Sequence, residues 1–403
     1  MKYKVEEHIK RSVERLCSAE YSIDQIFQSD AYSWPGDWEG RVLLALCCLH
    51  AVSNKMTNTV HELLEELPKH FNEEGFMGNC FNDELVDEQQ LSGHSWVLRG
   101  LVAYYQQFHD ERALVMADKI VQNLYLRARP YYKNYPVIRP KTGGGVSGEN
   151  AGVLQGWLLS TDVGCAFMCI DGLSAYYEVR NCPQTGEMLK ELIDQFEKLD
   201  FVGLNIQTHA TLSATRGIIK TYQCTNEIRY LSLAIQMFQM YVNSGMTMTY
   251  ENFNWFGRED TWTEPCAVVD SFIVAIRLFE ITKNKKYFTL FRRIWLNGLS
   301  FCHRDNGGAG PNTCVKQGQP FLQIYMYEAK CCCTMRYCEG LLFAKEYEGL
   351  LHERHKSVVM DEYGRHFCGD VLWVKDEDGN KMALPDLAFR GADGKKYAVL
   401  YQD

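Results

Sequence analysis

The chain has 403 residues, 46% of them hydrophobic, with only 10 prolines and a formal net charge of -9. It can bury a large core and falls outside the disordered class. An acidic balance with no Lys/Arg run excludes the clustered basic surface of a nucleic-acid binder.

The N-terminal stretch MKYKVEEHIKRSVERL alternates charged and apolar residues at helical spacing. It predicts a helix over residues 3-18 and lacks the apolar centre of a signal peptide. No segment reaches transmembrane length, so no membrane partner is expected. Together with 16 cysteines, this predicts a reducing, cytoplasmic setting in which thiols act as core residues, metal ligands or nucleophiles. A turn at Trp34-Pro35-Gly36-Asp37 precedes a strongly apolar helix from Trp38 to about Ser53, whose partner runs from about Thr57 to Leu67. Residues 71-86 read as a loop broken by Gly75 and Gly78. Leu91 to Phe108 and Glu111 to about Leu126 form a helical hairpin, followed by a Pro/Gly-rich crossing over residues 129-156. A loop of that length inside a domain is usually functional.

A loose repeat follows, in which an apolar helix ends at an aromatic, turns, and gives way to a second helix. Its anchors are Tyr105, Tyr177, Tyr222 and Phe279. Their unequal intervals exclude a strict solenoid and suit a closed ring of hairpins. With the pair at 38-67 and a last helix near 333-347, about six hairpins are expected. The predicted fold is therefore mainly α, an (α/α)6 barrel over residues 1-350. A short β appendage over 351-403 follows from the strand-like runs DEYGRHF, VLWVKDEDGNKM and KKYAVLY.

Chemistry concentrates in two places. Cys331, Cys332 and Cys333 are adjacent, a poor geometry for pairing with one another. Glu264 and Cys266 lie two residues apart some 65 residues earlier, as the order of the sequence shows. A carboxylate and thiolates suit a zinc site built between distant helices, because zinc takes both donor types. Free cysteines are also among the most buried residues, and burial alone accounts for thiols equally well. The second concentration is the run TYENFNWFGREDTWTEPC over residues 249-266, with Glu251, Glu259, Asp260 and Glu264 among Trp255, Phe256 and Trp262. Rings that stack on sugar faces beside proton-handling carboxylates point to carbohydrate. Cys338 reads as core, while Cys302 and Cys314 flank a Gly-rich loop without an assigned role.

Seven segments then fall in the order found in glycoside hydrolase family 127, the retaining β-L-arabinofuranosidases. They are WEGR at 38-41, NEEGF at 72-76, Gly93-His94, HAT at 209-211, ENF at 251-253, EPCA at 264-267, and Cys332-Cys333. The chain resembles that family over about residues 30-345. The resemblance implies Zn2+ held by Glu264, Cys266, Cys332 and Cys333, with Cys332 as nucleophile and Glu251 as general acid/base. It also implies sugar contacts from His94, His209 and Glu88 and a small glycoside as substrate; Trp255, from the acidic-aromatic run, is expected as a further sugar contact, and a homodimer is a further expectation. Slipping the thiol register by one makes Cys331 the nucleophile. The sequence departs from the family at Asp87-Glu88, at DVGCAFMC near residue 165, and at Thr334-Met335-Arg336. A six-hairpin epimerase or uronide hydrolase, and a sugar-binding protein with a structural zinc, remain as alternatives.

Overall fold

The computed structural model describes residues 4-28, 34-140, 145-325, 327-351 and 357-401. Its N-terminal helix α1 is Val5–Leu16, and the first residue of the expected helix, Tyr3, lies outside the described residues. The ring is built from α2 (Asp37–Ser53), α3 (Thr57–Glu66), α4 (Glu88–Phe108), α5 (Glu111–Ile120) and α6 (Leu126–Tyr132), then α7 (Cys169–Arg180) and α8 (Pro183–Phe196). It is completed by α9 (Thr208–Thr225), α10 (Ile228–Ser244), α11 (Pro265–Thr282), α12 (Lys285–Ile294) and α13 (Cys333–Glu346).

Six of these, α2, α4, α7, α9, α11 and α13, form the inner ring. Each packs on the next, and α13 packs back on α2 to close it. The outer helices of five hairpins are α3, α5, α8, α10 and α12. The sixth is α1, which reaches from the other end of the chain to lie on α13 and α2. Tyr337 Oη lies 3.0 Å from His8 Nδ1 at that junction, and His8 Nδ1 lies 2.9 Å from His303 Nδ1. The architecture is the (α/α)6 barrel that the hairpin pattern predicts.

The four aromatic anchors have a shared geometric role. The inner helices α4, α7, α9 and α11 each end on a left-handed residue, His109, Asn181, Asn226 or Lys283. Its N–H donates to the carbonyl of Tyr105, Tyr177, Tyr222 or Phe279, at 2.7 to 2.8 Å. The left-handed residue reverses the chain and satisfies one of the last helical carbonyls. Asn54 does the same for α2 through the carbonyl of His50.

A small sheet of β1 (Val86–Asp87), β2 (Asn150–Leu154) and β3 (Trp157–Ser160) lies beside the start of α4. Its strands run in the order β1-β3-β2, with β1 parallel and β2 antiparallel to β3. A second sheet contains β4 (Phe321–Gln323), β5 (Val358–Met360), β6 (His366–Cys368), β7 (Val371–Lys375), β8 (Lys381–Ala383) and β9 (Lys396–Val399). Its order is β4-β9-β7-β6-β5, with β8 on the other part of β7. The boundary expected at residue 350 does not isolate this sheet, because β4 comes from the barrel segment and pairs with β9. Asn297 ties it further, donating to Asp370 O at 2.7 Å and accepting from Leu372 N at 2.5 Å. Residues 352-356, 402 and 403 of the expected appendage lie outside the described residues. No described helix is long and apolar enough to cross a membrane.

α2 and α4 approach closely: a Cβ on Gly40 would come within 2.2 Å of Val97 N and 2.4 Å of Trp96 C. Those are backbone atoms, so relief requires the helices to separate. Gly40→Ala is expected to destabilise the fold by about 1-3 kcal/mol or more, read as a lower urea midpoint. An unchanged midpoint would show that the α2/α4 crossing is looser than drawn.

Candidate functional site

The inner helices point their N-terminal ends toward one mouth of the barrel. A helix start carries unpaired N–H groups and the positive end of the helix dipole, both of which favour anionic side chains. Here Asp37 opens α2, His209 lies in the first turn of α9, Glu264 precedes α11, and Cys332 precedes α13. Pro265 occupies the first turn of α11, where its missing N–H costs nothing.

Glu264, Cys266, Cys332 and Cys333 come together there. Their ligand atoms all lie within 4.8 Å of one another, an arrangement suited to one metal ion. Cys266 Sγ is 3.6 Å and Cys332 Sγ 3.4 Å from Cys333 Sγ. Cys266 and Cys333 are buried and Cys332 is half-buried. The neighbouring thiols Cys266 and Cys333 hydrogen-bond Cys332, and Arg41 and His209 add positive charge, so Cys332 is held well below the usual thiol range. Burial pushes its two neighbours up.

The cluster is braced from outside. Arg41 Nη1 lies 3.8 Å from Cys266 Sγ, and Arg41 Nε donates to Asp37 Oδ2 at 2.8 Å. His209 Nδ1 is 3.4 Å from Glu264 Oε1, and its Nε2 is 3.4 Å from Asp270 Oδ2. In the amide orientation that satisfies both neighbours, Asn254 donates to Glu264 Oε2 at 2.8 Å and accepts from Trp262 Nε1 at 3.2 Å. Asn252 Oδ1 accepts from Glu264 N at 2.7 Å. The acidic-aromatic run thus orients Glu264 while its rings, including Trp255, pack into the core.

A cavity of about 350 Å3 opens over Cys332, within the range of about 300-1,000 Å3 usual for small-ligand sites. Trp34, Asp37, Arg41, Asp162, His209 and Glu264 line it, and Ser147, Gly148 and Glu149 form its rim. That rim belongs to the long crossing between α6 and β2, of which residues 141-144 lie outside the described residues. Trp34 Nε1 and Gln89 Nε2 both donate to Gly148 O, at 3.1 and 3.2 Å, and hold the rim in place.

Four expected site residues are not among the residues lining this cavity. Glu251 is fully buried, with Asn312 Nδ2 at 2.8 Å from Oε1 and Thr249 Oγ1 at 3.0 Å from Oε2. Burial raises its carboxyl to about 7. His94 is a core histidine whose Nδ1 donates to Gln90 O at 2.8 Å and whose Nε2 accepts from Met77 N at 2.9 Å. Burial lowers it to about 4. The glycine before it admits the Trp34-Pro35 turn, since a Cβ on Gly93 would meet Pro35 O at 2.2 Å. Glu88 is spent on a buried pair with Arg139 at 2.8 Å and on Ser160 N at 2.6 Å. Trp255 is edge-on to Trp262, ring centroids 5.3 Å apart, and fully buried.

Conversely, Asp37, Arg41 and Asp162 stand at the cavity without having been singled out. Each is a single charged residue in an apolar or turn context, and only the closed ring brings them to one mouth.

No family model matches the chain, and no curated protein matches it. Similar solved structures share the fold. A glycoside hydrolase family 127 β-arabinofuranosidase superposes with a TM-score of 0.53 at 14% identity, covering 84% of this chain and 55% of that one. An unsaturated glucuronyl hydrolase specific for heparin gives 0.56 at 12%, covering 86% and 98%. The cellobiose 2-epimerase of Bacillus thermoamylovorans gives 0.51 at 15%, covering 77% and 87%. The chain spans little more than half the length of the arabinofuranosidase. All are six-hairpin carbohydrate enzymes, and at these identities the likeness concerns the barrel.

Asp270, which backs His209, also pairs with Arg216 at 2.7 Å and with Arg336. Asp270→Ala leaves both guanidinium groups short of a counter-charge in the core. It is expected to destabilise the protein by about 3-5 kcal/mol, measured by urea unfolding. A loss below about 1 kcal/mol would make the pairing no stronger than a surface contact.

Proposed function

We propose that this chain is a zinc-dependent retaining glycoside hydrolase with Cys332 as nucleophile, acting on a small β-linked furanoside such as a β-L-arabinofuranoside. The observation that carries this reading is the double position of Cys332, as one of four converging metal donors and as a lining residue of the cavity. A structural zinc site is closed on all sides. A donor sulfur facing open volume favours chemistry over stapling.

The residues fit zinc. With Zn–S of about 2.3 Å, tetrahedral sulfurs lie about 3.8 Å apart. The separations of 3.6 and 3.4 Å are near that edge, and far from the S–S bond of about 2.0 Å in a disulfide. Three sulfurs and one carboxylate oxygen exclude the all-oxygen preference of calcium and magnesium. Glu264, Cys266, Cys332 and Cys333 would hold the ion, which when bound keeps the thiols deprotonated and fixes their aim.

In this reading the Cys332 sulfur attacks the anomeric carbon while a carboxylic acid on the cavity wall protonates the departing oxygen. Water then displaces the thioether from the opposite face, giving its proton to the same carboxylate. Two displacements at one carbon retain configuration. Trp34 offers a ring at the cavity edge for a sugar face. Four wall carboxyl groups, Asp37, Glu149, Asp162 and Glu264, share the cavity with one guanidinium, Arg41, and the His209 ring. Arg41 is already engaged by Asp37 and Cys266. That balance weighs against a uronide, whose carboxylate needs an uncommitted cation.

Protein purified under reducing conditions is expected to carry one zinc per chain and to release p-nitrophenol from the β-L-arabinofuranoside. Cys332→Ala should reduce that turnover by at least roughly a thousandfold, whereas Cys331→Ala should leave most of it. Absence of zinc sinks the proposal. Stoichiometric zinc without turnover on furanosides or pyranosides would favour a structural ion.

A further inference from the structure

We infer that Asp162 is the acid/base of this cavity, protonating the departing oxygen and later taking the proton of the attacking water. The assignment rests on the glycosidase reading, and it replaces Glu251 in that role.

The cavity wall offers four carboxylates, and three are unsuited. Glu264 is a metal donor. Burial raises Asp37 as well, but its Oδ2 is committed to Arg41 Nε at 2.8 Å, a cation that opposes that rise and occupies the oxygen. Glu149 sits exposed at the rim, in water rather than over the sulfur. Asp162 differs from all of them. It is 5% exposed and lines the same cavity as Cys332. Its partners are neutral: Ser147 Oγ donates at 2.9 and 3.0 Å to its two oxygens, and Gly148 N donates at 3.1 Å. Among the described residues it forms no ion pair with a cationic side chain.

The groups facing it set its charge state. Glu264 comes from the start of α11, Cys332 from the start of α13, and Asp37 and Arg41 from α2. His209 comes from α9, Glu149 from the rim, and Cys165 from the turn before α7. Burial, then the negative charge of Glu264 and, more weakly, of Cys332, raise the Asp162 carboxyl to about 8 against the opposing pull of Ser147 and Gly148. A carboxyl of that kind carries its proton at neutral pH and is matched to proton transfer there. Glu251 also has a raised carboxyl, but its oxygens are occupied by Asn312 and Thr249 away from the cavity.

The proton balance closes on one residue. In the first step the Asp162 O–H breaks, its proton goes to the glycosidic oxygen, the C–O bond breaks and C–S forms. In the second, water loses a proton to Asp162 as the new C–O bond forms and C–S breaks. The net change is hydrolysis, with Asp162 and Cys332 restored.

The test compares Asp162→Asn and Glu251→Gln on a dinitrophenyl and a methyl β-L-arabinofuranoside, whose leaving groups differ in their need for a proton. Asp162→Asn should lose about 100- to 10,000-fold on the methyl glycoside and far less on the dinitrophenyl one, and added azide should be captured as the glycosyl azide. Glu251→Gln should change both substrates alike. The wild-type rate should fall on the alkaline side, where the burial-raised Asp162 carboxyl loses its proton, and this limb should vanish in Asp162→Asn. Ser147→Ala removes a donor to the carboxylate and should move the limb to higher pH. Equal losses on both substrates in Asp162→Asn, or a leaving-group-dependent loss in Glu251→Gln, overturn the assignment. If wild type hydrolyses neither glycoside, the glycosidase reading fails separately. An infrared carboxylic-acid band at pH 7 that disappears in Asp162→Asn still supports a proton-bearing Asp162, and its absence overturns that.

Discussion

The structure depends most on the Asp270 carboxylate, fully buried on the inner face of α11. It pairs with Arg216 from α9 and Arg336 from α13. Those arginines share Glu339 with Arg99 of α4, and Arg99 reaches Asp171 of α7 at 3.1 Å. Three cations and three anions therefore sit in the middle of the ring and join five of its six inner helices. Burial alone would push Asp270 up, yet Arg336 and Arg216 hold it at about 2. Such a network gains little over an apolar core of the same volume, but it is costly to break at any one member. Its effect is to fix the rotation of each inner helix about its own axis, because only one rotation brings each charge to its partner.

That rotation aims the mouth. Asp270 also contacts His209, and His209 contacts Glu264, so the charge network continues into the metal-donor cluster. Trp96 supports the same junction. Its ring lies under Arg41 at 4.0 Å, Arg336 at 4.6 Å and Arg99 at 4.8 Å, and it stacks on His209 at 5.8 Å between centroids. Desolvated cation-π contacts are worth about 2 kcal/mol each. The thiols therefore stand on helix starts whose azimuth is set one or two turns deeper in the barrel.

The sequence carried the fold well because hairpins are local. The aromatic anchors mark helix ends whose left-handed caps lie within a few residues, and apolar spacing marks the inner helices. The sixth hairpin was harder to read, since α1 and α13 are separated by most of the chain. For Glu264, Cys266, Cys332 and Cys333, donor type left metal binding and simple burial equally open and the resemblance supplied the set; the structure brings the four together in an arrangement that could hold an ion. Sugar-contact positions were less legible. His94 and Glu88 look polar and functional in sequence, but their hydrogen bonds close on Gln90, Met77, Arg139 and Ser160. Trp255 reads as a stacking platform because neighbouring acids surround it, yet the whole stretch from 249 to 256 is buried and its ring packs edge-on against Trp262. Asp162 stood out only as the first residue of the departing segment DVGCAFMC, since its value lies in what the rim and other helices place around it.

Two carboxylates at one mouth, Glu264 and Asp162, meet different surroundings. Glu264 is 15% exposed at its side chain and is met by the His209 ring and the Asn254 amide. Asp162 is met by a hydroxyl and one backbone N–H, and it faces the charge of Glu264 itself. Burial first, and then the neighbouring Glu264, raise the Asp162 carboxyl. The bracing that runs from Asp270 through His209 to Glu264 thereby also sets the acid across the cavity, and the barrel core and the proton donor are parts of one electrostatic arrangement.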